Sequence, residues 1–489
     1  MKPVSRREVL LLGGLGVASI VGGAAGLLSS GSGAGPSELL RGGGAPLVEP
    51  PVRSSTRGLL EMTLSAALST VRVGGSTAAV WAYEGGLPGP TWRVRAGDLV
   101  RVTLRNRLSE PTNLHVHGLH VSPEGNSDNV FVAVDPGAAF HYEYRLPSDH
   151  PPGVYWYHPH HHGMVATQVF AGLYGAIIVE DPAPIPVSRE RVLVISDITL
   201  DPAGHPAAAS PMERMLGREG ATVLVNGQVA PTMLARPGER ERWRIVNACT
   251  ARYLRLRLDG QRLQLLGIDS GRLEQPKDVV EVLLAPGNRA DLLVTTSTGR
   301  STLRTLAVDR GGMSGMMGGS QPNQEAIELG TLTVGGASAS ALTSIPAHPA
   351  PRDLRVVPVA ARRELTFAMG MGGGTAGMGA MSGMGGMSFT MDGRPFDPAR
   401  IDTKVRTGTV EEWTLTNTSP MDHPIHLHVW PMQVMGITGA PVWRDVVNVP
   451  ARSSVRVRIP FEDFSGRTVY HCHILDHEDA GMMAVVDAV

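Results

Sequence analysis

The 489-residue chain contains four separate His-x-His segments, opening on the pairs His115/His117, His158/His160, His426/His428 and His471/His473. Side chains alternate faces along a strand, so an extended His-x-His segment presents both imidazoles on one face. Eight imidazoles exceed the four ligands of a structural zinc and suit a polynuclear copper centre. The last two motifs also carry donors of opposite parity. Cys472 lies between His471 and His473, and His423 lies three residues before His426, so on regular strands both face away from the eight-histidine side. His477 and Met482 follow Cys472 by five and ten residues. Two imidazoles, a thiolate and a weak axial thioether make a trigonal electron-transfer copper site. Cys472 would then join two centres, its sulfur in one and its chain neighbours in the other.

Such donors need strands to hold them, and the pattern beyond about residue 57 is β. Leu254, Leu256 and Leu258 alternate with polar residues, Asp259-Gly260 makes a turn, and Leu263 and Leu265 resume the alternation. The segment from Gly97 to Asn106 is echoed from Gly238 to Asn247 and from Gly408 to Asn417, with nine residues from Gly to Asn each time. Nine residues after each Asn stand His115, Leu256 and His426. A second echo places His158, Arg304 and His471 five residues after Gly153, Gly299 and Gly466. Three repeated β-sandwich or barrel domains follow, the outer two holding donors and the middle one having lost them. Their expected limits are 57–183, 184–345 and 346–489.

Composition agrees. Lys and Arg total 44 against 45 Asp and Glu, without a basic run, which excludes a nucleic-acid partner. Two Cys cannot build a disulfide framework, whereas 17 His and 21 Met are copper-compatible donors. Residues 1–56 read as a leader and tether. Ser5-Arg6-Arg7-Glu8-Val9-Leu10 before an apolar stretch resembles a twin-arginine export signal, which predicts passage through that machinery to a periplasmic, cell-envelope or extracellular location. A monomer is expected.

The segments His115-Val116-His117-Gly118, Tyr157-His158-Pro159-His160, His423-Pro424-Ile425-His426-Leu427-His428 and His471-Cys472-His473 through Met483 resemble the four signature segments of three-domain multicopper oxidases, most closely the bacterial laccases and cuprous oxidases. The resemblance implies an all-β fold of three consecutive cupredoxin-like Greek-key β-sandwich domains. It implies four coppers: type 1 on His423, Cys472, His477 and Met482, type 2 on His115 and His426, and a type 3 pair on His117, His158, His160, His428, His471 and His473. It also implies oxidation of Cu(I), phenols or aromatic amines coupled to reduction of O2 to water. Glu478 matches a proton-delivering carboxylate of relatives. Asp128 is the candidate for their second one, although Asn126 is nearer the usual position. Val116 and Ile425 replace a frequent Trp and Phe. His161 and His162 extend the second motif without joining the ligand set. His120, His141, His150, His205 and His348 read as structural, and Cys249 as a small buried residue.

Methionine marks a further region. Met369, Met371, Met378, Met381, Met384, Met387 and Met391 crowd residues 369–391 among many glycines, and Met313, Met316 and Met317 form a smaller group. Thioethers select soft Cu(I), so this segment, expected as a loop or loose hairpin, reads as a copper-capturing insertion. Met421 matches a substrate-copper ligand of cuprous oxidases, but Ser419 replaces the carboxylate that accompanies it there, Asp422 being the nearest. The competing readings are a phenol-oxidising laccase whose Met segment is only a lid, a non-catalytic copper-storage protein, and a two-domain nitrite reductase. The middle repeat and the doubled His-x-His set disfavour the last.

Overall fold

The structure is a computed structural model that describes residues 44–311, 325–371 and 387–489. Six sheets pack as three sandwiches along the chain. The first sets strands Val52–Ser54, Thr91–Val94, Gly175–Val179, Gly153–His158 and His115–His117 against Ser76–Tyr83, Leu59–Val73, Leu99–Asn106 and Ala139–Arg145. Alternation along Leu99–Asn106 buries Val100, Val102 and Leu104 against Val116, Tyr155 and Tyr157 of the facing sheet. The second and third sandwiches repeat this plan with buried Trp243 and Trp413 at equivalent places. Among the described residues helices are short, as in Val165–Phe170, Pro211–Leu216 and Leu475–Asp479, and none is long and apolar enough to cross a membrane.

Each Gly-to-Asn repeat forms a strand of one sheet, and the donor segment nine residues on belongs to the facing sheet. The repeated Asn explains the fixed interval. In each copy its Oδ1 accepts the N–H two residues ahead, at Leu108, Cys249 and Ser419. Its Nδ2 donates to the carbonyl of the approach loop, at Glu110, Arg252 and Met421, and to a second segment at Val134, Leu284 and Val449. One amide side chain thus folds the crossover and sets where the next strand begins.

The second echo is not preserved in register. His115 lies directly opposite His158 and His426 opposite His471, but Leu256 lies opposite Thr305, with Arg304 opposite Arg257. An irregularity between Leu303 and Arg304 accompanies the one-residue slip. In this register Thr305 is buried and Arg304 reaches Asp259 near the surface, which pairs the guanidinium.

The ends of the Met-rich segment form a hairpin, one of the two forms expected for it. Ala361–Met371 and Met387–Met391 pair as an antiparallel hairpin, with Met369 opposite Phe389 and Met391 opposite Phe367. Met391 is buried and Met369 packs against the core of the third sandwich, so both serve packing. Met371 and Met387 face each other across the strand ends. Met378, Met381 and Met384, with Met313, Met316 and Met317, lie outside the described residues, as do residues 1–43.

Candidate metal centre

The outer site is built by the edge of one sheet and one helical turn. His423 opens the strand His423–Leu427, Cys472 ends Gly466–Cys472, and His477 sits in Leu475–Asp479. Cys472 Sγ lies 3.3 Å from His423 Nδ1 and 3.8 Å from His477 Nδ1, and all three residues are fully buried. The Cys472 N–H donates to the Met482 carbonyl at 3.0 Å, which fixes the chain of the expected axial residue beside the sulfur's own residue. Each imidazole is oriented by its far nitrogen. His423 Nε2 meets Ser419 Oγ at 2.7 Å, and His477 Nε2 donates to the Met215 carbonyl at 3.1 Å. Both then turn Nδ1 toward the thiol, as metal-ligating histidines do. Burial pushes the Cys472 thiol up, so a thiolate here needs a cation beside it. Burial, with Arg310 adding to it, pulls His423 down to about 3 and keeps it a neutral donor.

The inner site joins the first and third sandwiches. Its imidazoles fall into three groups, His115/His117/His426, His117/His158/His473 and His160/His428/His471, each with donor atoms within 4.8 Å of one another. The Nε2 atoms of His160 and His428 converge on His471 Nε2 at 3.2 and 3.1 Å. Outer partners hold the other rings. His115 Nδ1 meets Asp128 Oδ1 at 2.9 Å, His426 Nδ1 donates to the Asp445 carbonyl at 2.8 Å, and His158 Nδ1 donates to the Pro159 carbonyl at 2.8 Å. The opposite nitrogens, Nε2 of His115, His158 and His426 and both nitrogens of His473, are buried without a partner. Several orphaned donors aimed into one interior are costly unless an ion takes them up, so the residues present fit a metal cluster. Burial, reinforced by the neighbouring rings, holds His115, His117, His160, His426, His428 and His473 well below the usual histidine range.

Two carboxylates border this centre. Glu478 places one oxygen 3.0 Å from His471 Nδ1 and the other 3.3 Å from His160 Nε2, and it is fully buried. Asp128 is at the site, whereas the Asn126 side chain donates to the His141 carbonyl away from it. Burial raises the Asp128 carboxyl to about 8. Cys249 and Cys472 are both free. His162 packs at a tilt against Phe396 and His120 pairs with Asp463, both apart from the donor groups. Met421 is buried in the core of the third sandwich. Sequence reasoning missed Asp445, Arg289, Met215 and the bond made by Ser419. Their positions come from chain crossings that no local spacing encodes.

Three consecutive cupredoxin-like sandwiches enclosing imidazole and thiol donors define a copper protein built for more than one metal. Residues 66–184, 189–306 and 375–489 each match a family described as multicopper oxidase. The chain belongs to the multicopper oxidase family, whose members bind copper. It is 27% identical over 424 residues to multicopper oxidase mco of Staphylococcus epidermidis, covering 83% of each chain. It is 28% identical over 464 residues to cell division protein FtsP of Dickeya dadantii, covering 91% of this chain and 92% of that one. A solved structure described as a multicopper oxidase from Campylobacter jejuni, a metallo-oxidase, superposes with a TM-score of 0.78 at 29% identity, covering 91% of this chain and 95% of the other.

Proposed function

We propose that the chain couples one-electron oxidation of Cu(I), and of small phenols or aromatic amines, at the outer site to reduction of O2 at the inner one. In this reading type 1 copper is held by His423, Cys472, His477 and Met482. Type 2 is held by His115 and His426, and the type 3 pair by His117, His158 and His473 and by His160, His428 and His471. Copper there supplies one-electron exchange at the outer site and four-electron reduction of O2 to water at the inner one. The observation that carries the reading is Cys472: its sulfur faces His423 and His477, while its neighbours His471 and His473 belong to two of the inner groups. That covalent link is what an oxidase needs and a storage protein does not. The complete donor set also argues against a scaffold that keeps the fold without the metal.

Glu478 lies between His160 and His471, and Asp128 beside His115, which suits both carboxyl groups to proton delivery. The His477 edge is covered by the Met215 carbonyl, so a donor molecule meets the helix Pro211–Leu216, with half-exposed Met212, before it meets the ring. That cover favours a small soft ion over a bulky aromatic. The resemblance to a protein described as a metallo-oxidase points the same way. The domain limits 57–183, 184–345 and 346–489, export through the twin-arginine route and a monomeric state belong to the same reading.

The test is a deletion of residues 372–386, closed by two glycines between Met371 and Met387, which already face each other. Cu(I) oxidation should fall severalfold while oxidation of a small phenol is kept or improved. Equal loss of both would leave the Met insertion without a part in copper capture.

A further inference from the structure

The middle sandwich has Leu256 and Leu258 where the outer two have histidines, yet it is not absent from the inner centre. Gly287, at φ +85°, lies so close to His473 that an added Cβ would come within 2.9 Å of the ring. Two residues later Arg289 begins the strand Arg289–Thr295, and its side chain is fully buried. Its Nε donates to the Val154 carbonyl of the first sandwich at 3.0 Å, and its Nη1 reaches Asp269 of the second at 3.2 Å. Both terminal nitrogens grip Asp445 of the third, with Nη2 2.6 Å from Oδ2. Gly118, at φ +82°, leaves the space for this pair, since a Cβ there would collide with the guanidinium.

Asp445 in turn touches two inner histidines in two different ways. Its Oδ1 lies 3.2 Å from His117 Nε2, while its main-chain carbonyl accepts from His426 Nδ1 at 2.8 Å. A carboxylate and a carbonyl can only accept, so His117 must carry its proton on Nε2 and His426 on Nδ1. The free lone pairs are then Nδ1 of His117 and Nε2 of His426, and these are the nitrogens left buried without partners. One aspartate therefore sets opposite tautomers in adjacent ligands, and it does so only while it is held in place. The two-pronged grip of Arg289 is what holds it there.

We propose that Arg289 is a positioning residue of the inner centre, by which the middle sandwich, without ligands of its own, holds Asp445 and through it fixes the donor nitrogens of His117 and His426. The proposal rests on the reading of this centre as a copper cluster. The alternative role for Arg289 is a clamp between sandwiches, which would affect stability alone.

The experiment compares wild type, Arg289→Met and Arg289→Lys, each loaded with copper. The readouts are copper per chain under increasing chelator, the type 2 signal by electron paramagnetic resonance, the visible band of the outer site, and the thermal midpoint of the apoprotein. Arg289→Met should keep the visible band, lose inner copper at a chelator concentration about 10- to 100-fold lower, and show an altered or missing type 2 signal. Arg289→Lys, which keeps charge without the two-pronged grip, should recover part of the loss. An Arg289→Met protein with a lowered apoprotein midpoint but wild-type copper retention and signal would overturn the proposal. Should Arg289→Met fail to fold, Asp445→Leu, which removes the acceptor facing His117, carries the same prediction, and full inner loading of that variant would overturn it equally. A wild type that takes up no inner copper would sink the underlying reading; a fully loaded variant would sink this proposal alone.

Discussion

Replacing Ser419 with alanine removes one buried oxygen, and the surrounding bonds say what is lost. Ser419 Oγ has Asn417 Oδ1 at 2.8 Å, the Met421 carbonyl at 3.0 Å and His423 Nε2 at 2.7 Å. A hydroxyl has one proton to give, and the first two neighbours can only accept, so toward His423 the oxygen accepts and Nε2 carries the hydrogen. That places the lone pair on Nδ1, 3.3 Å from Cys472 Sγ. In Ser419→Ala the Nε2–H is stranded in a dry interior, at a cost of about 1–3 kcal/mol. Loss of a group that orients a metal ligand independently predicts about a 10- to 100-fold drop in affinity. At about 1.4 kcal/mol per factor of ten, this is the same size. The assay is chelator competition on the copper-loaded protein, followed by the visible band, with Ser419→Thr as the control that keeps the hydroxyl. The alanine variant should bleach at about one-tenth of the wild-type chelator concentration or less, with a lowered apoprotein midpoint. Unchanged bleaching and midpoint in Ser419→Ala would show that the bond orients nothing.

Other outcomes follow from the same geometry. His158 and His423 are held at about 3 by burial, below the unfolded value, so the folded apoprotein resists protons that the unfolded chain accepts. Apoprotein stability should therefore be fully present above about pH 6.5 and fall as pH drops toward 5, by up to about 2 kcal/mol for each such ring; a flat stability between pH 7.5 and 5 measured by urea unfolding would contradict this. Glu478→Gln should slow O2 uptake about tenfold or more while leaving the outer-site band intact, and an unchanged turnover would remove Glu478 from proton delivery. Asn247→Ala and Asn417→Ala should each cost about 1–3 kcal/mol in unfolding, but only Asn417→Ala should also loosen outer-site copper, because only the third-sandwich Asn braces the loop that carries Ser419 and His423.

The parts of this protein that could be read from the sequence are those written in local spacing. Gly-to-Asn intervals revealed three sandwiches because the Asn side chain closes the same crossover each time. Strand parity separated Cys472 and His423 from the eight inner histidines because the segments holding them are regular strands. The middle sandwich showed where spacing fails: Gly299 and Arg304 keep the interval, yet the strand is offset by one residue, with an irregularity between Leu303 and Arg304. Methionine density does not separate the residues of that segment by role: Met369 and Met391 sit on paired strands and pack a core, which composition does not tell. Asp445, Arg289, Met215 and Ser419 were silent for another reason. Asp445, Met215 and Ser419 touch a ligand from another loop, and Arg289 reaches Asp445 from the middle sandwich; such crossings exist only once the chain has folded.

On the proposed function, one chain carries an outer copper site wired through Cys472 to an inner cluster that reduces O2. The most direct measurement is anaerobic copper loading of the whole protein, followed by addition of air and Cu(I). The protein should take up the full copper complement of the family, show a visible thiolate-to-copper band that bleaches with Cu(I) and returns with air, and consume one O2 for about every four Cu(I) oxidised. Copper uptake without the band, or a band that bleaches with Cu(I) and does not recover in air, would contradict that function.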